Sequence, residues 1–117
     1  MGYFCKIVNE DSTAYKVNSL PIGGLQILNP SYPEEAFITI TSNYKKIAES
    51  VLDGGIRGLN GKAVDDTIDG LRAAIRKLSD DFDPDYWKAT EGNVKLALQG
   101  LVMLAVQCPG GIWDVSW

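Results

Sequence analysis

The chain contains no histidine. Its absence removes the Ser–His–Asp and Cys–His nucleophile arrangements, His-ligated zinc or iron, and imidazole general-base chemistry. Any catalysis would rest on carboxylates, Lys, Tyr, Cys or a bound metal. Cysteine is nearly as scarce. Cys5 and Cys108 stand far apart and outside any C-x-x-C pair, which excludes a thiolate zinc site. A single disulfide between them is one reading; two small buried thiols are the preferred one, because free Cys is among the most buried residue types.

Long apolar runs are also missing. The most apolar stretch, Val94 to Val106, carries Lys95 and Gln99 and is too short to span a bilayer. Near the N-terminus "YFCKIV" is interrupted by Lys6 and lacks a small-residue cleavage site, so no signal peptide is expected. Lys6 also stands where N-myristoylation after Gly2 requires Ser or Thr. These features predict a soluble, cytoplasmic protein with no membrane contact. Positive charge is in deficit, with 11 Lys and Arg against 15 Asp and Glu, a net charge of −4. A nucleic-acid partner is therefore not expected, since displacing phosphate counterions needs a basic face. A small nucleotide needs only two or three placed cations and stays open.

What is present suits one domain, residues 1–117. The chain is 45% hydrophobic and 22% charged, ordinary for a globular protein, and long enough for one core without metals or disulfides. Alternating patterns predict strands at 3–8 and 14–19, joined by the turn-forming "NEDST", a third candidate at 25–28, and a strong β-branched strand at 36–42. The period then changes from two to about 3.6. Ser42 or Asn43 can cap a helix over 44–53 that ends at Gly54-Gly55. A second helix, 63–79, places Val64, Ile68, Leu71, Ile75 and Leu78 on one stripe, with acids in its first turn and bases in its last. A third, 93–107, is apolar nearly all round and reads as a buried central helix. "IWDVSW" then alternates as a terminal strand, with Trp113, Val115 and Trp117 on one face. The expected fold class is α+β: an antiparallel sheet of short N-terminal strands plus a C-terminal strand, packed on three helices.

The loudest local signal is "DDFDPDYWKATEG", where Asp80, Asp81, Asp83 and Asp85 fall within six positions. A calcium loop opens this way, but it needs Gly at its sixth position and Glu at its twelfth. Aligned on Asp81 those positions hold Tyr86 and Gly92, and Pro84 stiffens the loop. The preferred reading is a polar turn after a basic helix end, with Phe82, Tyr86 and Trp87 folded back on the core. A loop Tyr-Trp pair can instead anchor a ligand or partner. "GGIRGLNGK" resembles a phosphate loop only in Gly61-Lys62; its spacing fails, Ala63 follows, and a helix precedes it. Arg57 and Lys62 beside a helix start could still hold an anion, although a glycine-punctuated helix connection is the preferred reading. Asp65, Asp66 and Asp69 are read as a solvated first helical turn. Trp117 is expected to pack on the sheet or on a second copy.

The ordered segments "ITITSNYKKI", "GGIRGLNGK", "DPDYWKATEGN" and "GIWDVS" resemble a loose group of small phage- and prophage-encoded proteins of unassigned activity, over about residues 36–116. The resemblance implies a small accessory factor in a bacterial cytoplasm, acting by host interference: binding a host protein or sequestering a signalling nucleotide. It points to Asn43, Arg57, Asn60, Lys62, Tyr86, Trp87 and Asn93 as ligand-binding residues, in loops that could meet at one end of the sheet. The leading expectation is thus a non-enzymatic binding or interaction protein that self-associates or takes a protein partner. It has no cofactor, no catalytic residues and no metal. The alternative is a binder of a small anionic or nucleotide ligand, held by Arg57, Lys62 and a Tyr86 or Trp87 stack. A metal-dependent enzyme using Asp81, Asp83 and Asp85 ranks third.

Overall fold

A computed structural model describes residues 2–16 and 36–117. Strand β1, Gly2–Val8, alternates inward Tyr3, Cys5 and Ile7 with outward Phe4 and Lys6. This period-two pattern can bury only one face, and the three inward residues sit in the core. β1 is the central strand of a three-stranded antiparallel sheet. It pairs with β2, Phe37–Thr41, on one side and β3, Ile112–Ser116, on the other. The α+β reading holds, and the C-terminal strand returns beside the first. Of the expected strand at 14–19, Ala14 bridges Val8, Lys16 is also a bridge residue, and Tyr15 N donates to Ile7 O at 3.3 Å. Its remainder and the candidate at 25–28 lie outside the described residues.

Helix α1, Lys45–Val51, follows a 3-10 turn at Ser42–Tyr44. The expected cap at Ser42 or Asn43 is displaced: Thr41 Oγ1 accepts from Asn43 N at 3.2 Å, because the chain turns one residue earlier than the pattern suggested. Helix α2, Val64–Lys77, buries Val64, Thr67, Leu71 and Ala74, while Ile68 and Ile75 sit only partly covered at the flank of that stripe. Thr67 tolerates burial because its hydroxyl donates to Val64 O (2.7 Å) and accepts from Trp113 Nε1 (2.8 Å). The first-turn acids are not all idle: Asp65 Oδ2 accepts from Gly110 N at 2.9 Å, pinning the turn that leads into β3.

Helix α3, Glu91–Val106, begins two residues before its predicted start because Thr90 caps it, accepting from Asn93 N at 3.1 Å. It packs on α2 and on the sheet through Val94, Leu98, Leu101 and Leu104. It is not buried all round, since Met103 and Val106 are exposed. Uniform apolarity hid which side faces water. Among the described residues no helix is long and apolar enough to cross a membrane.

Both cysteines are free and buried. Burial pushes the Cys5 thiol up to about 12 and the Cys108 thiol up to about 11. A thiol held protonated and out of solvent is inert. An aromatic disulfide reagent at pH 8 should label neither cysteine in the folded chain and both after unfolding in urea. Rapid labelling of native Cys5 would contradict its placement in the core.

Candidate functional site

The aspartate-rich segment is a backbone device. Asp83 Oδ1 accepts from Asp85 N (2.8 Å), and Asp85 Oδ1 accepts from Trp87 N (3.1 Å), so alternate aspartates form successive side-chain turns. The first of these hydrogen bonds, helped by Lys88 at 3.3 Å, holds the Asp83 carboxyl below the usual carboxylate range. Asp80 pairs with Lys95 at 2.7 Å. Among the described residues no three carboxylates or thiols are grouped to hold a metal ion.

Four of the seven expected site residues do come together here, as structural members. Asn93 is fully buried. Its amide donates to Asp85 O (3.0 Å) and Lys88 O (2.9 Å), and its oxygen accepts from Asp83 N (3.1 Å). Asn43 Nδ2 donates to Trp87 O at 2.9 Å. Tyr86 lies against the core; its hydroxyl accepts from Thr41 N (2.8 Å), and its carbonyl accepts from the Tyr44 hydroxyl. Burial, followed by the proximity of Tyr86 and Asp85, pushes Tyr44 up to about 12. Of the three aromatics expected to fold back, only Tyr86 does so. Phe82 and Trp87 remain exposed, Trp87 at 62%. Removing the Tyr86 hydroxyl leaves Thr41 N at the sheet edge without its acceptor, so Tyr86→Phe should cost about 1 kcal/mol in urea unfolding.

Asn60 and Lys62 go elsewhere. Asn60 Oδ1 accepts from Val115 N at 3.0 Å, extending the sheet beyond β3 together with Gly61 N to Trp113 O (2.9 Å) and Trp113 N to Lys62 O (3.0 Å). The Lys62 side chain lines a groove of about 290 Å³ between α1 and α2, shared with Asp53, Asp66 and Lys77. Arg57 lines a different concavity, so neither of these two grooves brings the expected Arg57–Lys62 pair together.

Arg57 instead lies over the Trp117 ring, its guanidinium carbon 4.1 Å from the ring centre. Sheet register explains the meeting. Gly2 pairs with Thr41, the residue before Ser42, and Phe4 with Ser116, so one residue further along that second ladder sets Trp117 opposite Tyr3. The 3-10 turn Arg57–Leu59 packs on β3 and delivers Arg57 to the same end. The result is a concavity of about 240 Å³ lined by Gly2, Tyr3, Ser42, Lys45, Arg57 and Trp117. Arg57 and Lys45 are exposed, and neither forms an ion pair among the described residues. Tyr3 is held above its ordinary value by burial first and by Glu49 second, with Arg57 acting in the opposite direction. Glu49 is therefore close enough to act on Tyr3, though it does not line the concavity.

A guanidinium stacked on indole keeps its edge donors free, and the ring limits the rotamers it must give up on binding. The arrangement can hold an oxyanion against a flat apolar wall. The sequence reading named Arg57 but not Lys45, Tyr3 or Ser42, and it expected Trp117 to pack on the sheet or on a second copy. No protein-family model, curated protein or solved structure matches the chain.

Proposed function

We propose that this protein is a non-catalytic binding protein that recognises a ligand bearing negative charge at the sheet end built by Lys45, Arg57 and Trp117. The observation carrying this reading is the Arg57 guanidinium stacked on a half-exposed Trp117 beside a second cation, neither of them with a carboxylate partner among the described residues. Among the described residues Lys6 meets Asp114 (3.6 Å) and Lys95 meets Asp80, whereas Arg57 meets an indole. The sequence resemblance to small phage-encoded proteins is compatible with an accessory role of this kind, including host interference. Self-association belongs to the same proposal, and light scattering at micromolar concentration tests it.

The experiment is thermal unfolding with inorganic phosphate as the probe. At a hundred times its dissociation constant a ligand raises stability by about 2.7 kcal/mol, several degrees for a domain this size. A Tm rise in the native chain that disappears in Arg57→Ala/Lys45→Ala supports the reading. An equal rise in both proteins contradicts it.

A protein partner is the second reading, favoured by exposed Phe82 and Trp87 on a loop that Asn93 holds in place. A rigid aromatic costs little side-chain entropy on docking.

A further inference from the structure

Resting on that reading, we infer that the ligand is a small phosphate monoester carrying a flat ring, of which a nucleoside monophosphate is the representative. Its phosphate lies between Lys45 and Arg57, and its ring lies against Trp117.

Three observations define the class. The first is charge. Two cations line one concavity, and neither is neutralised by a carboxylate among the described residues. A carboxylate ligand would bring one negative charge, whereas a phosphate monoester near neutral pH brings about −1.5 to −2. The dianion matches the pair, and the Arg57 edge offers two parallel donors to its oxygens. Glu49, close enough to act on Tyr3, partly offsets the local positive field and disfavours a polyphosphate, which would need more cations than are present.

The second is the wall. Trp117 is 53% exposed, although Arg57 covers part of it and the preceding inward residues, Trp113 and Val115, are buried. Its exposed remainder is a flat π surface in contact with the anion-holding group. A ring stacked on such a surface gains affinity without base-specific hydrogen bonds.

The third is size. The concavity, about 240 Å³, is on the scale of a phosphate with one sugar and one ring. At Gly2 a Cβ would stand 2.8 Å from Ile40 O, so that position of the lining must lack a side chain.

The test is calorimetric titration of the full chain at pH 7.5 and low salt with four probes: adenosine 5′-monophosphate, ribose 5-phosphate, adenosine and inorganic phosphate. The expected order places the nucleotide on the order of tenfold or more tighter than ribose 5-phosphate. Adenosine alone should bind weakest. Arg57→Ala should weaken nucleotide and ribose 5-phosphate alike. Trp117→Leu should remove the advantage of the nucleotide while leaving ribose 5-phosphate unchanged, a pattern that loss of folding would not produce. If ribose 5-phosphate equals the nucleotide in the native chain, the ring assignment is overturned while the anion site stands. If adenosine equals the nucleotide, the phosphate assignment falls. If no phosphate binds and Arg57→Ala changes nothing, the proposed function fails together with its ligand class.

Discussion

Asn93→Ala is expected to destabilise the protein by about 3 kcal/mol, because it removes a fully buried side chain that partners three part-buried backbone groups at once. Asp85 O, Lys88 O and Asp83 N all turn inward onto this one amide. Each group that loses its partner where water enters poorly costs about 1–3 kcal/mol. The loss should appear as a lower urea midpoint, with faster exchange of the Asp83 and Trp87 amides ahead of the sheet. Asn93→Asp separates hydrogen bonding from packing. It keeps the shape and one acceptor but faces a carboxylate toward two carbonyl oxygens. Burial would raise that carboxyl's folded pKa above its unfolded value. The penalty is therefore full at neutral pH and lifts as pH falls through the raised folded value. A pH-independent penalty would show that Asn93 acts through packing alone.

Gly92→Ala is expected to reverse the usual sign of a helical glycine substitution. In an exposed helix interior Ala is favoured over Gly by about 1 kcal/mol. At Gly92 an added Cβ would meet Asp81 C at 2.5 Å and both Asp81 O and Phe82 N at 2.6 Å, all backbone atoms that cannot swing aside. Here the segment leaving α2 is laid across the first turn of α3, and Gly92 N donates to Asp81 O at 3.0 Å. Forcing them apart should cost about 3 kcal/mol. Gly70, exposed on α2, is the internal contrast, because a Cβ added there would meet nothing within 4 Å. Gly70→Ala should stabilise by about 0.5–1 kcal/mol. Chemical denaturation of the two variants side by side checks both signs.

These two neighbours explain what the acidic segment does. The motif that looks like the opening of a calcium loop is a strap between α2 and α3. Its aspartates fold it locally, and Asn93 with Gly92 clasp it to the helix start. The sequence contained that answer in its turn chemistry, since Asp at alternate positions before Pro and Tyr-Trp is also the pattern of consecutive side-chain turns. The clasp was legible only as a name, Asn93, without its role. Nothing local distinguishes a ligand-binding amide from one that binds its own chain eight residues away.

The strong elements were readable because their patterns were unambiguous. Period-two burial in β1 and β2 and the apolar stripe of α2 fix which faces meet, whereas the near-uniform apolarity of α3 does not. Boundaries moved where side chains captured backbone groups, at Thr41 and Thr90. The sheet end at Arg57 and Trp117 was not readable for a different reason. Tyr3, Lys45, Arg57 and Trp117 come from four separate stretches, and their meeting depends on strand order β2-β1-β3 and on the register that sets Trp117 opposite Tyr3. Alternation predicted that Trp117 would share the buried face of Trp113 and Val115. It is exposed past the end of β3, where Arg57 lies over its ring.

The proposed site makes Trp117, rather than Trp87, the indole expected to sense ligand. An NMR titration of the labelled protein with adenosine 5′-monophosphate, following the three tryptophan indole N–H signals and Arg57 Nε–H, tests this most directly. The predicted result is a saturable shift of Trp117 and Arg57, with buried Trp113 and the strap's Trp87 unmoved. A shift confined to Trp87, or none at Trp117 at saturating nucleotide, would contradict the assignment of the site.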